Sequence, residues 1–150
     1  MTTLYYSEFR SKDGYDYRIE ILKDFIGSSQ EIKLMATPIK IDWPDVDKVA
    51  PIHKSRATLS LYSDTDSKFT GLYTTVVGAV KLRVLRDGVL YWSGTMDTEQ
   101  YEEPYSFKSG YAVSITFSDI APLSRYKWAG TGIQTIGSIL NECITKSGIE

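Results

Sequence analysis

One histidine, one cysteine and scattered carboxylates are the residues of this chain that could do chemistry. His53 would have to serve as the base for any histidine-assisted nucleophile. It sits in Pro51-Ile-His-Lys-Ser55 with no recognisable nucleophile motif nearby, and reads as a loop residue. Cys143 falls on the apolar stripe of a helical segment. With no cationic neighbour evident in sequence to lower its pKa, it reads as an inert buried thiol. One cysteine and one histidine cannot make a Cys/His metal centre. Asp42, Asp45 and Asp47, or Asp64 and Asp66, could hold a hard cation. Neither group matches the calcium loop, which needs a glycine at its sixth position and a closing glutamate, so solvated turn carboxylates are the better account. Glu99, Glu102 and Glu103 could supply a glycosidase-like carboxylate pair, but sequence spacing does not give their separation, and a charged loop competes with that idea. Gly71, Gly78, Gly88 and Gly94 lie in strand and turn contexts, not in a phosphate cradle. No catalytic, cofactor-binding or metal-binding residue is expected.

The elements that would have to position such groups are strands. Tyr15, Tyr17, Ile19 and Ile21 alternate with Asp16, Arg18 and Glu20, giving one buried and one wet face. Leu4 to Arg10 precedes them, and Ser11-Lys-Asp-Gly14 joins the two runs as a hairpin. Ile32, Leu34 and Ala36 share a face in a run that Pro38 closes or confines to a sheet edge. A loop rich in aspartate and proline spans Asp42 to Pro51. Alternation resumes at Ala57, Leu59 and Leu61 and breaks at the polar stretch Ser63 to Lys68. Val80, Leu82 and Val84 then face Leu90 and Trp92 across Asp87-Gly88, the strongest short-range signal for a hairpin with a primed turn. Tyr111, Val113, Ile115 and Phe117 complete the alternating set. About seven to nine short strands predict a mainly β fold, an antiparallel β-barrel or sandwich.

Past Pro122 the period changes. Ile133, Ile136, Leu140, Cys143 and Ile144 recur at helical spacing. Thr131 with Gln134 makes a capping box, and Lys146 with Gly148 marks the stop. Gly132 and Gly137 each weaken this helix by roughly 1 kcal/mol relative to alanine, so it needs something to pack on. Residues 1–128 are expected to form the β domain. Residues 129–150 would cap it or open a further domain, and an apolar stripe so near the last residue implies that more protein follows.

A chain of 150 residues suits one domain, with a core large enough to need neither disulfide nor metal. The formal charge of −2 offers no general attraction for nucleic acid. A lone cysteine fits a reducing compartment. The start has no basic and apolar leader pattern, and no run is long enough to span a membrane as a helix, so a soluble protein is expected. Aromatics make up 13% of the residues and eleven are tyrosines. That surplus suits a stacking platform for sugars or bases, or core positions and protein interfaces; it leans toward an assembly surface.

The order of elements from Ser55 to Glu150 resembles the N-terminal region of baseplate hub (tail-associated) proteins of tailed phages, prophages and contractile injection systems. The residues that carry the likeness are Phe69-Thr-Gly-Leu-Tyr73, the hairpin Val80 to Gly94 with Leu90-Tyr-Trp-Ser-Gly94, the strand Tyr111 to Phe117 running into Ser118-Asp119, and the helix Thr131 to Gly148. The resemblance implies a β-barrel hub domain in the virion tail. It would assemble as a ring, typically a trimer, and join tube, spike or tip proteins without cofactor, nucleic acid or membrane insertion. It also implies a structural signature: Asp87 and Gly88 for the turn, Trp92 filling the barrel, Gly94 allowing close backbone approach, and Asp119 capping a turn that begins at Ile120. Such hubs are longer than this chain, and their lytic or peptidase domains lie beyond this region. A distal tail protein of the same machinery is the nearest alternative. A carbohydrate-binding module stacking sugars on Trp43, Trp92 or Trp128 is a second, and an enzyme using Glu99 and Glu103 a third.

Overall fold

A computed structural model describes residues 1–44, 54–65, 68–98, 110–119, 128–130 and 132–147. Among the described residues the fold is mainly β, with eight strands in one sheet and one C-terminal helix, as the alternating runs and the late change of period implied. The strands are β1 (Thr2–Arg10), β2 (Asp16–Lys23), β3 (Gln30–Glu31), β4 (Lys33–Asp42), β5 (Arg56–Ser63), β6 (Val80–Arg86), β7 (Val89–Met96) and β8 (Tyr111–Ser118); the helix is α1 (Ile136–Ser147). Their order across the sheet is β3-β1-β2-β6-β7-β8-β5-β4.

Period-two sequence gives one buried face. Ile19 and Ile21 of β2 lie opposite Val84 and Leu82 of β6. Ala57, Leu59 and Leu61 of β5 lie opposite Phe117, Ile115 and Val113 of β8. All ten side chains are fully buried in one cluster, so both halves of the sheet fold over a common core. Phe69 and Leu72, around a single 3₁₀ turn at Thr70–Leu72, are also fully buried in it. Tyr5 meets the Phe69 ring edge-on at 5.7 Å and donates a hydrogen bond to the Lys68 carbonyl at 3.3 Å.

The sheet is mixed and not purely antiparallel, because β1 and β3 run parallel. It also does not close. β3 and β4, its two ends, are separated in the chain by Ile32 alone, whose N–H donates to the Tyr6 carbonyl at 2.9 Å. One continuous run therefore pairs first with β1 and then with β5, but no residue of it pairs on both sides. The remaining seam is a groove of about 480 Å³ between Ser7–Lys12 and Leu34–Pro38.

Several local expectations change. Leu34 pairs Leu61 but the next matched pair is Ile39 with Leu59, so Met35 to Pro38 bulge out. Ala36 is exposed as a result, although Ile32 is buried. Pro38 lies in this bulge on an edge strand, where its missing N–H costs no ladder bond. A second bulge, at Tyr91 between the Val84–Trp92 and Leu85–Leu90 pairs, turns Leu90 out of the core face. Tyr15 is exposed just before β2. Of the described tyrosines only Tyr5 is buried; Tyr6, Tyr17, Tyr62 and Tyr111 are partly exposed, since a phenol keeps its hydroxyl wet more cheaply than it buries it.

α1 begins later than its apolar period does. Thr135, not Thr131, is the N-cap: its Oγ1 accepts the Ser138 N–H at 3.2 Å, and its carbonyl accepts the Ile139 N–H at 3.1 Å. Gly132, at φ +95°, stays outside the helix. Thr131 and Gly148 lie outside the described residues. Ile136, Leu140 and Ile144 remain exposed, so this stripe does not cover the sheet, and Cys143 is half-buried.

Burial holds the Tyr5 phenol above its ordinary pKa of 10.0, with the Lys68 charge opposing. The fold thus favours the neutral phenol, while the unfolded chain ionises first as pH rises. Its contribution is fully present below pH 10.0 and is lost as pH climbs through the raised folded value. Tyr5→Phe should flatten the alkaline fall in urea-unfolding stability above that pH while leaving the stability at neutral pH within about 1 kcal/mol of wild type. An unchanged alkaline limb would remove Tyr5 as its source.

Candidate functional site

Two clusters carry the polar and aromatic residues singled out in the sequence. The first is internal. Trp92, only 8% exposed, donates from Nε1 to Ser55 Oγ at 2.8 Å. The Ser55 hydroxyl donates to Asp119 Oδ2 at 2.5 Å, and the Ser55 N–H donates to the same oxygen at 3.0 Å. The Asp119 N–H returns to the Ser55 carbonyl at 3.3 Å. β5 and β8 are thus tied just beyond their ladder, beside the short β7–β8 pairing of Thr95 with Ser118 and Met96 with Phe117.

Gly94 lets this happen. A β-carbon there would press on the Trp92 ring and sit 2.9 Å from the Ser118 carbonyl oxygen. Asp119 Oδ1 is buried with no hydrogen-bond partner among the described residues. A serine, a carboxylate and an indole in series look like part of a relay, yet Ser55 is only 4% exposed. The arrangement works as a latch. Ser55 escaped the sequence reading because it lies 64 residues from Asp119, and only the β5–β8 register brings them together.

The second cluster is on the surface, at the tips of two hairpins. Asp87 and Gly88 both take positive φ, +51° and +79°, as a type I′ turn demands. The Asp87 Oδ1 accepts the Asp16 N–H at 3.0 Å, and the Asp87 N–H donates to the Asp16 carbonyl at 2.8 Å, so the turn of one hairpin holds the end of the other. Arg86 lies over both the Tyr15 and Tyr91 rings, at 5.0 and 4.7 Å from their centroids. Tyr17 stacks on Phe9 at 5.4 Å and meets Tyr91 edge-on at 6.4 Å. Beside them runs a groove of about 460 Å³ between Phe9, Tyr17 and Leu85, with Glu8, Asp16 and Arg18 at its margin. Arg18 bridges Glu8 and Glu20 at 2.7 Å each, and the Glu20 bond in particular holds its guanidinium above the usual arginine pKa. Apolar rings thus lie among paired charges on this face of the protein.

The other candidates form no further cluster among the described residues. His53, Asp45, Asp47, Asp66, Glu99, Glu102, Glu103 and Ile120 lie outside the described residues. Asp42 pairs with Lys40 at 3.0 Å and Asp64 with Lys68 at 2.7 Å; that hydrogen bond to Lys68 lowers the Asp64 pKa. Among the described residues no three histidine, cysteine or acidic side chains gather where a metal ion could sit. Burial removes Trp92 from any sugar-stacking platform, while Trp43 is 62% exposed. No protein-family model matches the chain, and no curated protein or solved structure matches it either.

Proposed function

We propose that this chain is a structural component of a phage or phage-derived tail, a baseplate hub or tail-tip protein acting through protein–protein contacts. Its partners would be copies of itself in a ring, typically three, and tube, spike or tip proteins. The observation that most favours this is the use to which the Lys81–Phe117 stretch is put. Its Asp-Gly turn, Trp92 and Gly94 organise a curled sheet, while the aromatic and arginine side chains of the same hairpins are spent on an exposed, rigid surface. Exposed aromatics interleaved with arginine are what protein interfaces enrich. A distal tail protein has the same chemistry and is the nearest rival.

The test is location. An epitope-tagged copy supplied to a host that carries an intact tail gene cluster should be incorporated, and gold-labelled antibody should mark the distal end of purified particles. Particles that purify fully assembled without the chain would overturn the proposal.

A further inference from the structure

From the free half of β4 we infer that two copies of this chain pair edge to edge, antiparallel, about a two-fold axis at Ile41. Backbone direction can be followed across the sheet. The Asp97 N–H donates to the Thr116 carbonyl, so Thr116 points away from β5; the Asp119 N–H donates to the Ser55 carbonyl, so Ser55 points toward β8. Carried through the β8–β5 and β5–β4 registers, this aims the backbone of Lys40 and Asp42 at β5 and that of Ile39 and Ile41 at the outer edge. β4 ends the sheet, and the outward N–H and C=O groups of Ile39 and Ile41 have no partner among the described residues.

Natural edges are commonly blunted by prolines, bulges or charges. β4 protects its first half in this way, with the Met35–Pro38 bulge. Its second half, Ile39-Lys-Ile-Asp-Trp43, matches itself instead. With Ile41 on the axis, Ile41 would exchange both backbone bonds with its own copy, and Ile39 would do so with Trp43 of the other chain. Lys40 would face Asp42 of the other chain, twice over by symmetry, in the close non-hydrogen-bonded positions where opposite charges stabilise a ladder. Lys40 and Asp42 now pair within one strand at 3.0 Å, with side chains 70% and 48% exposed, so both can be exchanged for an equivalent partner. Ile39 and Ile41 already pack against the core, and Trp43 stands exposed beside them, so the apolar row continues across the axis. Pro38 and Pro44 would face each other at the two ends of the paired segment. A second copy fits this edge because its charge pattern, Lys40-Ile41-Asp42, is complementary to its own reverse; an unrelated strand would have to reproduce it.

The contact is isologous, so it joins two chains and cannot by itself build a ring. It does not depend on the tail assignment. Sedimentation velocity over a concentration series tests it. Wild type should dimerise, or double whatever ring it forms. Lys40→Asp and Asp42→Lys each set like charges face to face and should weaken that step roughly tenfold or more. Mixed in equal amounts, the two variants should recover it as a heterodimer, since every cross-axis pair is again of opposite sign. Ile41→Pro should abolish pairing while the thermal melt stays cooperative, because the N–H it removes points outward. A wild type that stays monomeric, or an assembly indifferent to both charge reversals, or a mixture with no recovery, overturns the inference. A trimer unaffected by all three substitutions would do so while leaving the ring reading standing.

Discussion

Trp92→Ala should lower the thermal midpoint by about 6–20 °C and remove a large share of the chain's stability. Truncating a buried tryptophan costs about 3–5 kcal/mol, against a total stability of about 5–15 kcal/mol for a typical domain; each kcal/mol moves the midpoint of a domain this size by about 2–4 °C. The ring packs in the shared core, and its Nε1 donates to Ser55 Oγ. Its loss also removes one restraint on the latch that joins β5 and β8 next to the short β7–β8 ladder. Trp92→Phe separates the two effects: it keeps most of the apolar surface and leaves Ser55 without its donor, which should cost about 1–3 kcal/mol. Circular dichroism melts of both variants are the measurement. A Trp92→Ala protein that melts within about 2 °C of wild type would mean that the indole is not a core residue, and would return Trp92 to the list of ligand-stacking candidates.

Gly94→Ala should cost about 1–3 kcal/mol, although replacing a strand glycine by alanine is ordinarily favourable. The reason is space and not conformation: no left-handed φ is involved at Gly94, whereas Gly88 in the hairpin turn has φ +79°. A methyl group at position 94 would meet the Trp92 ring on one side and the Ser118 carbonyl on the other, so either the indole turns or β7 and β8 move apart at the place where they share only two residue pairs. The loss should be accompanied by altered near-ultraviolet dichroism. It should also be smaller in a Trp92→Ala background, where one of the two obstructions is gone; contacting residues are expected to be non-additive in this way. Full additivity would place the two residues out of contact and count against the latch as described.

Both expectations concern residues that would carry the fold of a hub-like protein and not its chemistry. That distinguishes the assembly proposal from the sugar-binding alternative in a practical way. Trp92 is committed to Ser55 in the interior, so among the described residues a stacking platform would draw on the exposed rings of Trp43, Tyr15, Tyr91 or Tyr73, or on the partly exposed Trp128. Two of these, Tyr15 and Tyr91, already hold Arg86 against their faces. A cation seated on a ring occupies the face that a sugar would use.

Much of this was legible before any coordinates. Alternation at Ile19 and Ile21, at Ala57, Leu59 and Leu61, and at Val113, Ile115 and Phe117 marked three core-facing strands, because burial on a pleated sheet must repeat every second residue. Asp87-Gly88 specified its turn, since two consecutive left-handed residues are cheap only for such a pair. The bulges at Met35–Pro38 and Tyr91 were not legible. Each depends on which residue of a neighbouring strand sits opposite, and each reversed the facing of the side chains near it, as Ala36 and Leu90 show. Helix α1 was announced by its apolar spacing, yet its start moved to Thr135, where an available hydroxyl met the free N–H groups of the first turn. Ser55, the parallel pairing of β3 with β1, and the single run that links both ends of the sheet belong to tertiary structure alone. Local sequence dictates which face of a strand is apolar, because that is a property of neighbours in the chain. Which strands lie side by side, and so which distant polar atoms meet, is decided only when the whole sheet packs its apolar face into one core.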